Sequence, residues 1–382
     1  MIRKTDFLVY GIFIQLLATQ SILMFNVFDA IGYWEVKTLL HPIGVGLTIF
    51  YVVSLKKIKL SYSAIDILIT VFFLLYFLLF LFNHKNTTSI FLTIRDTFLI
   101  FALIMIYNNS KIKLKTWRIF LKAALILTCL NIIAILATYI IGYEDYMKTA
   151  TGRFVWGHDK EYNFKISFFY NLIRSPGLIG ESANVGFFGL FTFWFFTKDV
   201  IFKKYSFLPL VLAILSLTRS VYLSLSIVVI IKLLNNKRAL SFLSKHVWEV
   251  VFSIIPIVIV LWRYNIFEAE SLFIRFKDWG EKLNFNLSYL IGGELGTIGS
   301  GVRGESNLET LDSYWITTFL SFGITGVILI LFFIKSKMPK DVELSVFMFA
   351  LALSGFFVTL TQSIVFLVMF PIIFLNIEKE DV

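Results

Sequence analysis

Charge and cysteine are what this 382-residue chain has least of. Only 16% of its residues are charged, well below the roughly 25% of a soluble domain. Against that stand 58% hydrophobic residues, 43 phenylalanines and a mean hydropathy of +0.82. A fold of this size cannot hide that much apolar surface from water, which excludes a soluble globular protein and makes the bilayer the solvent. The single cysteine, Cys129, excludes an internal disulfide and a thiolate metal site. It lies in an apolar run and reads as a small core hydrophobe. No small-x-small cleavage site stands out in "MIRKTDFLVYGIFIQLLATQSILMF". Its basic tip and apolar run therefore read as an uncleaved signal anchor. No repeat relates the two halves of the chain, where a transporter built from paired repeats would more often have one.

Twelve apolar runs approach the length of a membrane span: 7–25, 38–55, 63–82, 89–107, 119–142, 185–197, 206–217, 220–234, 247–263, 313–334, 343–360 and 363–376. The net charge of +10 is distributed in short clusters between these runs, not on a face interleaved with aromatics, so nucleic acid is not the expected partner. The clusters alternate. With the N-terminus inside, the inside connections carry "KKIK", "KIKLKTWR", "KDVIFKK", "NNKRALSFLSKH" and "KSKMPK", whereas 26–37 and 83–88 are poor in Lys and Arg. The positive-inside rule then predicts a single polytopic domain over 1–382 with both termini cytoplasmic. Two long polar segments, 143–184 and 264–312, fall outside. Connections of that length are commonly functional, and the aromatics and the amphipathic "SLFIRFKDWGEKL" predict ordered, interface-lying structure.

Arg219 interrupts the run "FLPLVLAILSLTRSVYLSLSIVVIIKLL". As one helix, residues 206–234 would measure about 43 Å at 1.5 Å per residue, more than the roughly 30 Å of a bilayer core. Two short helices reversing at "TRS" fit better. Their shared end would lie below the outer surface and place Arg219 in an outward-facing recess. The plainer alternative is a snorkelling arginine or one at a helix C-terminus. Arg153, Arg174, Arg263, Arg275 and Arg303 fall on the same side. Arginine binds phosphate bidentately, so a cationic recess there suits a lipid-linked phosphate or pyrophosphate. Arg95, beside Asp96 inside the fourth run, reads as an internal ion pair holding helices together.

Three stretches together resemble the O-antigen polymerase/ligase superfamily of membrane glycosyltransferases: "RSPGLIGESANVGFFGLFTFW" (174–194), "LSLTRSVYLSLS" (215–226) and "DSYWITTFLSFGITGVILIL" (312–331). In the third, the ligases carry a His where this chain has Asp312; Ser313, nine residues, then Gly323 and Gly326 follow. Those two glycines, three apart, would also permit close helix packing. The resemblance implies an all-α, GT-C-like membrane protein of about twelve helices with two long periplasmic loops, in a bacterial inner membrane. It implies a polymerase that moves a growing glycan from undecaprenyl pyrophosphate onto the non-reducing end of the next lipid-linked repeat unit. A chain-length regulator protein is the partner expected by analogy, and no cofactor is implied.

Such chemistry asks for fixed cations on the leaving pyrophosphate and a base for the acceptor hydroxyl. Arg174 and Arg219 are the first candidates for the pyrophosphate, Arg275 and Arg303 the second. Outer carboxylates are Glu181, Asp278, Glu294, Glu305, Glu309 and Asp312; Glu181 and Asp312 abut span entrances and are the candidate catalytic bases. Either could instead cap a helix or pair with an arginine. His158 is a further, weaker candidate. No acidic pair on the outer side looks like a metal site, so metal independence is expected. A ligase, a lipid-linked oligosaccharide flippase and a non-catalytic scaffold are the competing readings. The Asp at 312 speaks against the first, the one-sided arginines against the second and the Arg219 turn against the third.

Overall fold

The computed structural model describes residues 4–33, 35–54, 63–83, 94–151, 168–169, 172–234, 277, 279, 290–292, 313–338, 341–358, 360 and 363–378. These are mostly helical. In chain order the helices are α1 Lys4–Ala18, α2 Ser21–Asp29, α3 Val36–Ser54, α4 Ala64–Asn83, α5 Leu99–Asn108 (entered through a π-helical turn, Ile94–Phe98), α6 Leu114–Ile141, α7 Tyr143–Thr151, α8 Ser182–Lys198, α9 Phe207–Leu215, α10 Arg219–Leu234, α11 Tyr314–Lys337, α12 Val342–Ser354 and α13 Ile364–Ile372. Among the described residues, strand is confined to two ribbons. β1 Lys111–Lys113 pairs in parallel with β4 Asn376–Glu378, and β2 Phe168–Phe169 pairs antiparallel with β3 Leu172–Ile173.

Among the described residues, three helices, α3, α6 and α11, meet a length and hydropathy test for crossing a membrane, and α1 with α2 makes a fourth if the bent pair counts as one span. Apart from α4, the other described apolar runs fold as shorter helices. The reason is visible in α8, whose residues from Val185 to Phe196 are all buried. Its hydrophobicity serves the middle of a bundle rather than a lipid-facing span. Phe191 and Phe366 meet edge-on, and Trp194 stacks on Phe347, so α8 is the post around which α12 and α13 pack. Gly189 lets α9 approach: a Cβ there would lie 2.7 Å from the Ala213 nitrogen.

The first run does not form one helix. The Thr19 hydroxyl donates to the Leu16 carbonyl, Gln20 leaves helical geometry, and the axes of α1 and α2 bend by 94°. The break frees the backbone N–H of Ile22, which donates to the carbonyl of Leu178 at 2.9 Å. A helix break in the first run is thus what holds the "RSPGLIGES" segment.

Helix ends alternate between two levels. One level is tied by ion pairs. Lys337 reaches the buried Asp66 at 2.5 Å, Lys198 reaches Asp341 and Glu343 at 2.9 Å each, and Arg118 lies 3.5 Å from Asp199. Asp66 also closes a capping box with Ser63 at the start of α4. The β1–β4 ribbon lies at this level too. The opposite level holds the N-termini of α8, α10, α11 and α13.

Residues 290–292 of the segment 264–312 lie against the middle of α4 and α11, with Leu290 and Ile291 exposed. Tyr76 of α4 donates to the Ile291 carbonyl, and Thr325 of α11 donates to the Leu290 carbonyl at 2.7 Å. One expectation needs correction: Gly323 does not serve helix–helix packing. It breaks α11 at φ +65°, ψ −174°, and a Cβ there would meet the backbone of Leu290 and Ile291 at 2.6 Å. What packs closely on it is a loop. Of the rest of that segment, Trp279 is buried against Leu320.

Candidate functional site

Arg219 is the first residue of α10 and is exposed. The chain reverses just before it. Ser216 donates to Ala213, Thr218 donates to Ser216, and Leu217 takes φ +51°, a left-handed conformation uncommon for leucine. Tyr222, one turn into α10, donates back to Ile214 of α9 and closes the hairpin. The turn is seated on α8, where Gly186 is needed: a Cβ would meet the Ser216 hydroxyl at 2.5 Å and Val221 at 2.7 Å.

Arg174 follows β3 and opens a segment fixed from three sides. Tyr139 donates to the Ile173 carbonyl at 2.8 Å, and Ser175 shares a hydrogen bond with Thr138 at 2.8 Å. The Asn131 side-chain oxygen accepts from the Leu178 N–H at 2.9 Å, and its amide donates to Gln20 at 2.7 Å. Tyr146 of α7 donates to the Gly177 carbonyl at 2.8 Å. Burial raises the Tyr146 phenol, which keeps it a donor. Gly177, at φ +52°, leaves no room for a Cβ beside Asn131. The result is an arginine whose backbone is held on both sides. It lies within electrostatic range of the Tyr222 hydroxyl, one turn from Arg219.

Glu181 is the N-cap residue of α8 and is exposed. Its carboxylate accepts from Asn184 at 2.9 Å, and Asn184 in turn accepts from Ser363, the cap of α13. Carboxylate, amide and hydroxyl thus bridge two helix starts. Ser313 caps α11; next to it, the Tyr314 N–H donates to the Gly355 carbonyl at 2.8 Å. The adjacent Ser354 donates to the Ser220 carbonyl at 2.9 Å. The neighbours of Arg219 and of position 312 are therefore two hydrogen bonds apart.

Arg174, Glu181 and Arg219 share one end of the bundle. Asp312, Arg275, Arg303, Arg153, Arg263, His158, Asp278, Glu294, Glu305 and Glu309 lie outside the described residues. Four helix N-termini at this end add fixed positive potential of about half a charge each, which suits an anion. Among the described residues no three His, Cys, Asp or Glu side chains are grouped as metal ligands would be.

Sequence reasoning missed Tyr222, Asn184 and Ser363. The position of Tyr222, three after Arg219, could have flagged it; the other two matter only through contacts across helices. It also missed His41, which is 7% exposed in α3, while Arg95 and Asp96 form their expected pair at 2.6 Å. No family model, curated protein or solved structure matches this chain.

Proposed function

We propose that the protein polymerises undecaprenyl-pyrophosphate-linked polysaccharide repeat units on the outer face of the inner membrane. In this reading the shorter helices complete a multi-pass, GT-C-like arrangement of about twelve membrane segments with both termini cytoplasmic. The observation that carries it is that Arg174, Arg219 and the Glu181 cap share one end of the bundle, with Arg174 in electrostatic range of Tyr222 beside the Arg219 turn.

The step is a displacement at the anomeric carbon of the growing chain. The acceptor hydroxyl oxygen bonds to that carbon, the bond from carbon to the pyrophosphate oxygen breaks, and lipid pyrophosphate leaves with the electron pair. Arg174 and Arg219 hold the departing oxyanions; the guanidinium fork fits them bidentately. The hydroxyl proton passes to Glu181 or Asp312. Glu181 is oriented by Asn184 as a carboxylate acceptor should be.

Surface-polysaccharide banding in a strain deleted for the gene tests the reading. One repeat unit per anchor is the expected pattern. Full-length chains would contradict any role in polymerisation, and no attached unit would point to ligation or flipping instead. Reporter fusions at positions 160 and 290 are expected outside, and those at 115, 240 and 380 inside.

A further inference from the structure

A cavity of about 330 Å³ lies between α5, α11, α12 and α13. Its floor is apolar and buried: Ile100 and Ile104 of α5, Leu351 of α12, and Phe366 and Phe370 of α13 are each at most 5% exposed. Its rim is exposed, at Leu331 and Lys335 of α11 and at Ser345 and Phe349 of α12. Lys335 is the one charged residue in the described lining. The rim belongs to the ion-pair end of the bundle, since Lys337 meets Asp66 there and Asp341, the N-cap of α12, meets Lys198. Ser345 and Phe349 also line a shallow groove that contains Asp341. A deep apolar space and a shallow polar one therefore adjoin.

Shape and charge together select an occupant. An empty apolar space forfeits dispersion contacts along its walls, and in a bilayer a hydrocarbon chain is at hand to fill it. The rim adds charge of both signs. Asp341 and Glu343 share a single lysine, Lys198, at 2.9 Å each, which leaves that corner with an excess of negative charge. Lys335 is exposed and, among the described residues, takes part in no ion pair. A fitting amphiphile carries a long chain for the cavity, an anionic group for Lys335 and a cationic group for Asp341. A phospholipid with an ethanolamine head has all three, as acyl chain, phosphate diester and ammonium. A glycerol head lacks the ammonium. A lipid pyrophosphate lacks it too and would bring more negative charge to the carboxylates.

We propose that the cavity and groove bind one ethanolamine phospholipid from the leaflet at the ion-pair end, with an acyl chain in the cavity, the phosphate on Lys335 and the ammonium at Asp341. The site lies at the opposite end of the bundle from Arg174, Glu181 and Arg219. Bound there, the lipid joins α11 to α5, α12 and α13.

The test is native mass spectrometry of the purified full-length protein in detergent, titrated with dioleoyl phosphatidylethanolamine or dioleoyl phosphatidylglycerol. Wild type is expected to hold one phosphatidylethanolamine, about tenfold or more tighter than phosphatidylglycerol. Lys335→Ala, at an exposed position, is expected to weaken it roughly tenfold. Asp341→Asn keeps an acceptor for the Glu343 N–H but removes the charge, so the preference between the two heads should vanish. Ala352→Phe places a ring in the cavity and should abolish binding of both lipids. Thermal unfolding of the same samples shows which variants are folded; if Ala352→Phe is not, the two rim variants decide. Equal binding of the two lipids by wild type, or undiminished phosphatidylethanolamine binding by Lys335→Ala, would overturn the proposal. Displacement of the phosphatidylethanolamine by undecaprenyl phosphate would make the cavity a carrier-lipid site. A changed oligomeric mass in Ala352→Phe without loss of lipid would make it an interface between copies of the chain. Either result would likewise overturn the phospholipid assignment.

Discussion

The two ends of the helical bundle are both cationic, and they use their cations differently. At one end lysines and an arginine meet carboxylates directly: Lys337 with Asp66, Lys198 with Asp341 and Glu343, Arg118 with Asp199. These pairs tie helix ends together across long sequence separations. At the other end Arg174 and Arg219 gather among hydroxyls, carbonyls and helix N-termini. The first kind of contact fastens helices to one another. A cluster of positive helix ends favours a ligand that brings negative charge. Substitutions should therefore separate the ends: damage to stability at the first, damage to activity at the second.

The largest stability effect is expected at the buried pair. Lys337→Met leaves Asp66, only 2% exposed at its side chain, without its countercharge. Breaking a buried pair costs about 3–5 kcal/mol, to be read from thermal unfolding in detergent. The double change Lys337→Met with Asp66→Asn should recover part of that loss. Gly323→Ala comes next. Its φ/ψ is open essentially to glycine alone, and the added methyl meets backbone atoms at 2.6 Å. A cost of about 1–3 kcal/mol is expected, with easier proteolysis near residue 290. A variant as stable as wild type would contradict the seat of residues 290–292 on the α11 kink.

The smallest effect is expected at Lys198→Ala. The pair is about two-fifths exposed, so it is worth at most ~1 kcal/mol. Burial pushes Asp341 up, but the hydrogen bond and charge of Lys198 outweigh it and hold its carboxyl below the ordinary range. A depressed carboxylate pKa stabilises above its unfolded value of about 3.9 and loses that contribution as pH falls through the folded value. The difference between wild type and Lys198→Ala should be constant from about pH 5 to 8 and should disappear in acid below about pH 4.

Sequence alone identified the membrane as solvent, the helical class and the break before Arg219, because composition and helix length are local properties. It also put Arg174, Glu181 and Arg219 on one side of the membrane as an expectation, through sidedness: an even number of helix reversals returns the chain to the same end. What it could not separate was a lipid-facing span from a core helix. The run 185–197 is equally apolar in either role, and only its full burial in α8 distinguishes them. The break at Thr19–Gln20 was hidden because both residues are individually tolerated in helices; the partner that rewards the break, Leu178, lies far along the chain. His41 went unread for the same reason, since one histidine in an apolar run says nothing until its neighbours are known.

The account's central claim is that the Arg174–Arg219 end carries the chemistry. Its most direct test is polymerisation by Arg219→Ala and Arg219→Lys, normalised to folded protein, with thermal unfolding measured on the same samples. Removal of one charge-stabilising donor is expected to lower the rate roughly 100-fold or more, with Lys recovering only part because it lacks the planar fork. Stability should stay within about 0.5 kcal/mol of wild type, as for other exposed positions. Wild-type chain lengths from Arg219→Ala, or loss of activity only in step with loss of folded protein, would contradict the claim.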